Sequence, residues 1–91
     1  MTEYDLQHMS IHAIATLIRN DWNKVNYAAA PYLNAMFNLD SVDDKYYADS
    51  GASTVRYFLS NASAYSKRSS KGLVEPAKVK AELKRRIAGK Y

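Results

Sequence analysis

From Ser10 onward, apolar residues recur at Ile11, Ile14, Leu17, Ile18, Trp22 and Val25, while His12, Thr16, Arg19 and Asn23 fall on the opposite side. That spacing is the 3.6-residue period of an amphipathic helix, and Ser10 stands where a hydroxyl N-cap is wanted. The pattern predicts a first helix with Trp22 on its buried stripe. A second helix follows at Pro31, whose missing N–H costs nothing in a first turn, with Leu33, Met36, Phe37 and Leu39 as its apolar face. Between the two, the stretch DWNKVNYAAAPYL contains the one tryptophan of the chain and three consecutive alanines, Ala28 to Ala30. Side chains that small let two helices approach closely, so this stretch reads as an αα-hairpin corner.

The segment DSVDDKYYADS reads as a polar loop with room for a single helical turn, because its aspartates and serines compete locally for backbone groups. A third helix is predicted from Ser50, with Ala52, Val55, Phe58, Leu59 and Ala62 on one face and Arg56, Tyr57, Ser60 and Asn61 off it. Residues 66–72, SKRSSKG, have no apolar side chain and read as a basic linker. Pro76 then suits the first turn of a basic C-terminal helix over 74–88. Val79, Leu83 and Ile87 form its narrow apolar stripe, Lys78, Lys80, Lys84, Arg85, Arg86 and Lys90 flank it, and Gly89 is its expected C-terminal cap. Four helical patterns with short connections predict an all-α, single-domain bundle, 1–91, preceded by an N-terminal segment, 1–9.

Composition changes this picture in three ways. The chain has 91 residues, 47% apolar and 24% charged, which suits one folded core, and it has no cysteine, so packing alone must hold it together. The start MTEYDLQHMS has neither the basic opening nor the apolar run of a signal peptide, and no stretch approaches the length of a membrane span, so a cytoplasmic protein without membrane contact is expected. The net charge of +4 is uneven: residues 1–50 carry three basic against seven acidic side chains, and residues 51–91 carry ten basic against two acidic. The C-terminal part therefore either faces an anionic partner or complements the N-terminal part within the fold.

Candidate chemistry is sparse. His8 and His12 lie four apart with Asp5 before them, but the glutamate of a HExxH motif and a fourth ligand are missing, so no metal is expected. The acidic run DSVDD lacks the alternating ligands and the glycine of an EF-hand loop. Serines are plentiful, yet both histidines belong to one N-terminal stretch, there is no nucleophile elbow, and three glycines do not make a phosphate-binding loop. A non-enzymatic protein without a cofactor is expected. SGASTVRYFLSN is similar to the recognition half of a helix-turn-helix, but Ser53, Thr54 and Val55 are consecutive and DDKYYAD is no apolar first helix.

What the third helix leaves outside its apolar face is more informative. Tyr57 lies there near Asn61 and Arg68, with Arg56 and Lys67 forming an adjacent stripe. An aromatic beside cations suits a protein-interface anchor or a base-stacking and phosphate-binding surface, unless Tyr57 packs under the fourth helix. Arg56, Tyr57, Lys67, Arg68, Lys71, Lys84 and Arg85 are the candidate contact residues.

The segments SIHAIATLIRNDW, APYLNAM and YYADSGASTVRYFLSNA resemble a pattern of small helical accessory proteins encoded on bacterial phages, plasmids and conjugative elements. The resemblance spans about residues 10 to 65 and departs after Ala64, where AYSKRSS replaces the expected tryptophan-containing turn. It transfers no functional residue. It implies an accessory regulator, such as an inhibitor of a host system of the anti-CRISPR kind, acting by binding a protein partner. The alternative expectation is a DNA- or RNA-binding protein that uses the basic C-terminal half.

Overall fold

The computed structural model describes residues 5–43, 45–46 and 49–88 and is an all-α domain. A 3₁₀ turn, Leu6–His8, precedes four helices: α1 (Ile11–Asp21), α2 (Ala30–Met36), α3 (Gly51–Ser60) and α4 (Pro76–Ala88). The caps are those the sequence offers. The Ser10 hydroxyl accepts from the Ala13 N–H at 3.0 Å and the Ser50 hydroxyl from the Ser53 N–H at 3.1 Å, each satisfying a donor that the first helical turn leaves orphaned. Pro31 lies in the first turn of α2.

Helix α3 packs against both α2 and α4, and α1 against α2. Ile11, Ile14, Ile18 and Trp22 meet Leu33, Met36, Val55, Phe58, Val79 and Leu83 in one core. The fourth helix is docked: Val79 and Leu83 are fully buried, so its narrow stripe is spent on the fold, while Lys78, Lys84 and Arg85 are exposed and Lys80 and Arg86 are half-buried. Gly89 and Lys90, the expected cap and one flanking cation, lie outside the described residues.

Two connections differ in detail from the sequence expectation. Helix α1 ends at Asp21, short of the Trp22 and Val25 that its apolar period included, because Trp22 is extended and bridges antiparallel to Ser70. Val25 is half-buried in the connector that follows. The segment before α3, expected as a polar loop with room for a single helical turn, carries a two-residue antiparallel pairing of Lys45–Tyr46 with Asp49–Ser50. Within the acidic run, the Asp40 carbonyl accepts from Ile11 at 2.9 Å and the Ser41 hydroxyl from Asp43 at 3.0 Å, which is turn and cap work; Asp44 lies outside the described residues. No two consecutive helices are joined by the three- or four-residue turn of a helix-turn-helix.

Candidate partner-binding surface

The segment expected as a basic linker does connect α3 to α4, but it is held far more firmly than a linker needs. At its centre is Asp21, fully buried at the last position of α1. A negative charge there opposes the helix dipole, and a buried carboxylate must collect donors. Asp21 collects them from the segment: the Tyr65 hydroxyl donates at 2.7 Å, the Ser70 hydroxyl at 2.8 Å and the Leu73 N–H at 2.8 Å. Burial pushes the Asp21 carboxyl up, but hydrogen bonds from Tyr65, Ser70 and the Leu73 and Val74 backbone outweigh it and hold the group below its ordinary value. Burial, then the hydrogen bond and charge of Asp21, pushes the Tyr65 phenol well above its usual range.

The backbone completes the clasp. The Lys71 N–H donates to the Asp21 carbonyl and the Asn23 N–H to the Ser69 carbonyl, both at 2.7 Å. The Tyr65 ring stacks on Trp22 at 5.0 Å between centroids, and Trp22 meets Phe58 edge-on at 6.3 Å. Ser66 and Ser69 cap a 3₁₀ turn, Lys67–Ser69, reciprocally, and Gly72 takes the left-handed φ of 92° that lets the chain swing toward α4. Lys67, Arg68 and Lys71 stand exposed on this fixed frame.

The remaining candidates fall on other elements. Tyr57 does not pack under α4. It is half-exposed beside Tyr32 of α2, with ring centroids 5.6 Å apart. The Asn26 amide donates to the Asn61 carbonyl at the end of α3, which ties the α1–α2 connector there; Tyr27, the next residue of that connector, is 96% exposed. Arg56 is exposed on α3 next to Tyr57. Lys84 is exposed on α4.

Arg85 is exposed but engaged. Its guanidinium forks onto Glu82 at 3.1 and 2.6 Å, and Glu82 also accepts from Arg86 at 2.7 Å. Arg86 reaches on to the Leu6 carbonyl at 2.6 Å, which ties the N-terminal turn to α4. Hydrogen bonding from Arg85, opposed by burial and reinforced by Arg86, holds Glu82 below its ordinary value. Arg85 thus has a structural duty that the sequence reading did not give it, although the i, i+3 and i, i+4 spacing of Glu82, Arg85 and Arg86 carries that signal.

The two histidines are used separately. His8 pairs with Asp5 at 2.6 Å, and the His12 ring bonds the Phe37 carbonyl at 2.6 Å. Among the described residues no group of three or more histidine, cysteine, aspartate or glutamate side chains could hold a metal ion, and no helix is long and apolar enough to cross a membrane.

Sequence reasoning passed over Asp21, Tyr65 and Lys80. The signal for Asp21 was present, since an acid at a helix C-terminus beside a buried tryptophan needs donors from elsewhere. Comparison with protein-family models, curated proteins and solved structures gives no match.

Proposed function

We propose that this chain is a non-enzymatic accessory protein that binds a protein partner, with Lys67, Arg68 and Lys71 as the centre of the contact. The observation that carries the reading is the clasp: a buried carboxylate, a stacked Trp22–Tyr65 pair and two long-range backbone hydrogen bonds hold a turn that displays three cations. A turn ordered before binding loses less entropy on association, so its charges count for more. Tyr57 and Tyr32 at the α2–α3 seam, beside Arg56, supply an aromatic anchor of the kind that dominates protein interfaces, and Tyr27 is exposed on the α1–α2 connector. Lys84 and Arg85 extend the positive field along α4. The resemblance of residues 10 to 65 to accessory proteins of phages, plasmids and conjugative elements supports a role as an inhibitor of a host system, of the anti-CRISPR kind, in the cytoplasm.

The basic charge of residues 51–91 also favours a second reading, binding of DNA or RNA. The two part on salt. Phosphate binding releases counterions and weakens steeply between about 50 and 200 mM salt. Affinity capture from a bacterial host lysate, repeated with Arg68→Glu/Lys71→Glu, is expected to retain a protein on the parent chain and lose it on the variant. Mobility shifts with mixed duplex and single-stranded DNA at the lower salt, with no protein captured, would transfer the assignment to nucleic acid. Turnover of a defined substrate, lost on one side-chain change, would end the non-enzymatic reading.

A further inference from the structure

Beside the cationic turn, a groove of about 310 Å³ opens between Ser66–Lys67 and the start of α4. Tyr65, Pro76 and Ala77 give it an apolar lining, and Lys67 and Lys80 supply its positive charge. Glu75 also lines it, but its carboxylate is paired with Lys78 at 3.5 Å. Lys80 is half-buried, donates to the Ala62 carbonyl at 3.0 Å and lies 5.9 Å from the centre of the Tyr65 ring. An ammonium group has three donors, so that one bond leaves Lys80 two more to offer. Burial, then repulsion from Lys84, holds the Lys80 ammonium below its ordinary pKa. An anion in the groove would relieve that repulsion.

We propose that this groove seats an acidic segment of the protein partner, an extended peptide whose carboxylates meet Lys67 and Lys80 while a neighbouring apolar side chain lies on the exposed Ala77. The proposal rests on the protein-binding reading and names the chemistry of the bound segment. Charge complementarity selects the occupant: two cations face the groove, and its one acid is already matched by Lys78. The lining favours peptide over nucleic acid. Its one aromatic, Tyr65, is fully buried and already stacked on Trp22, so a base finds no ring face to stack on, whereas the exposed Ala77 accepts a small aliphatic side chain.

The test is a titration of the ¹⁵N-labelled full chain with a capped ten-residue peptide of aspartate, glutamate and leucine. Two comparison probes are the same peptide with amides in place of the carboxylates, and a ten-nucleotide oligothymidine. The acidic peptide is expected to move the amide signals of Ser66, Lys67, Ala77 and Lys80, and the uncharged peptide to leave them in place. Lys67→Glu and Lys80→Gln are each expected to weaken binding about two- to five-fold, the weight of one partly exposed ion pair. Lys24→Glu, an equal charge change on the α1–α2 connector, is expected to weaken it less than Lys67→Glu does. Thermal melting of each variant separates a lost contact from a lost fold. Equal binding of the uncharged peptide, tighter binding of oligothymidine at the same amides, equal weakening by Lys24→Glu, or no movement of these signals overturns the proposal. Loss of the groove with partner capture still sensitive to Arg68 and Lys71 overturns it alone and leaves the protein-binding reading in place.

Discussion

The Tyr65 hydroxyl donates a 2.7 Å hydrogen bond to the Asp21 carboxylate across 44 positions of sequence, and both groups are fully buried. Through this bond the end of α1 decides the conformation of the segment between α3 and α4. The turn that carries Lys67, Arg68 and Lys71 therefore owes its shape to residues that are themselves fully buried.

Removing the Tyr65 hydroxyl with Tyr65→Phe is expected to cost about 2 kcal/mol, the usual worth of a hydrogen bond to a charged acceptor. Asp21→Ala should cost more, about 3 kcal/mol, because Tyr65, Ser70 and the Leu73 N–H all lose their acceptor together. Urea unfolding followed by Trp22 fluorescence measures both, since Trp22 is the only tryptophan and stacks on Tyr65. The double variant should lose less than the sum of the two. Strict additivity would show that the two groups act independently.

The carboxyls of Asp21 and Glu82 are both held below their ordinary values of 3.8 and 4.5. Unfolding returns them to those values, so the unfolded chain binds more protons in acid. Stability from these two groups is present above about pH 4.5 and is lost as pH falls through the folded values. The melting temperature is expected to be flat near neutrality and to fall below pH 4.5. Asp21→Asn should start lower at pH 7 and fall less, and a profile parallel to that of the parent would show that Asp21 is not a source of the acid sensitivity.

Gly72 has a φ of +92°, and a Cβ built there meets nothing within 4 Å. Gly72→Ala should therefore cost about 1 kcal/mol from backbone conformation alone, with no clash to add. Gly72→Asn should cost less, because asparagine tolerates the left-handed region better. Equal losses for the two, measured by thermal melting, would point to crowding in place of backbone strain.

Arg86 and Arg85 bond the same carboxylate but differ in exposure, with side chains 15% and 61% exposed. Arg86→Ala is expected to destabilise by about 2 kcal/mol, since it removes the inner bond to Glu82 and the tie to the Leu6 carbonyl. Arg85→Ala should destabilise less, because water replaces most of what it loses. Arg68→Glu and Lys71→Glu, exposed on the turn, should leave the melting curve nearly unchanged while removing partner capture.

Much of the fold was legible because its signals are local. Serine caps, an N-terminal proline and apolar residues at helical spacing state α1, α2, α3 and α4 within about a dozen residues each. The site was legible only in part. Tyr57 reads correctly as an aromatic off the α3 core face, but its neighbour is Tyr32, a residue 25 positions earlier whose own pattern places it on no face in particular. Lys67, Arg68 and Lys71 read as cations on a linker because SKRSSKG has no apolar residue to announce that it is fixed. What fixes it are hydroxyl and backbone hydrogen bonds, which leave no period in a sequence.

By itself, the sequence determined four amphipathic helices, their starts, the burial of Trp22 and the basic character of the C-terminal part, since propensity, capping and hydrophobic period act over one or two turns. Tertiary structure alone decided where α1 stops, that Asp21 is an acceptor for donors up to 52 positions away, and that Arg85 is shared with the fold. The physical reason is that a buried charge is settled by whichever donors the completed fold brings to it, and donor geometry is a property of the packed chain.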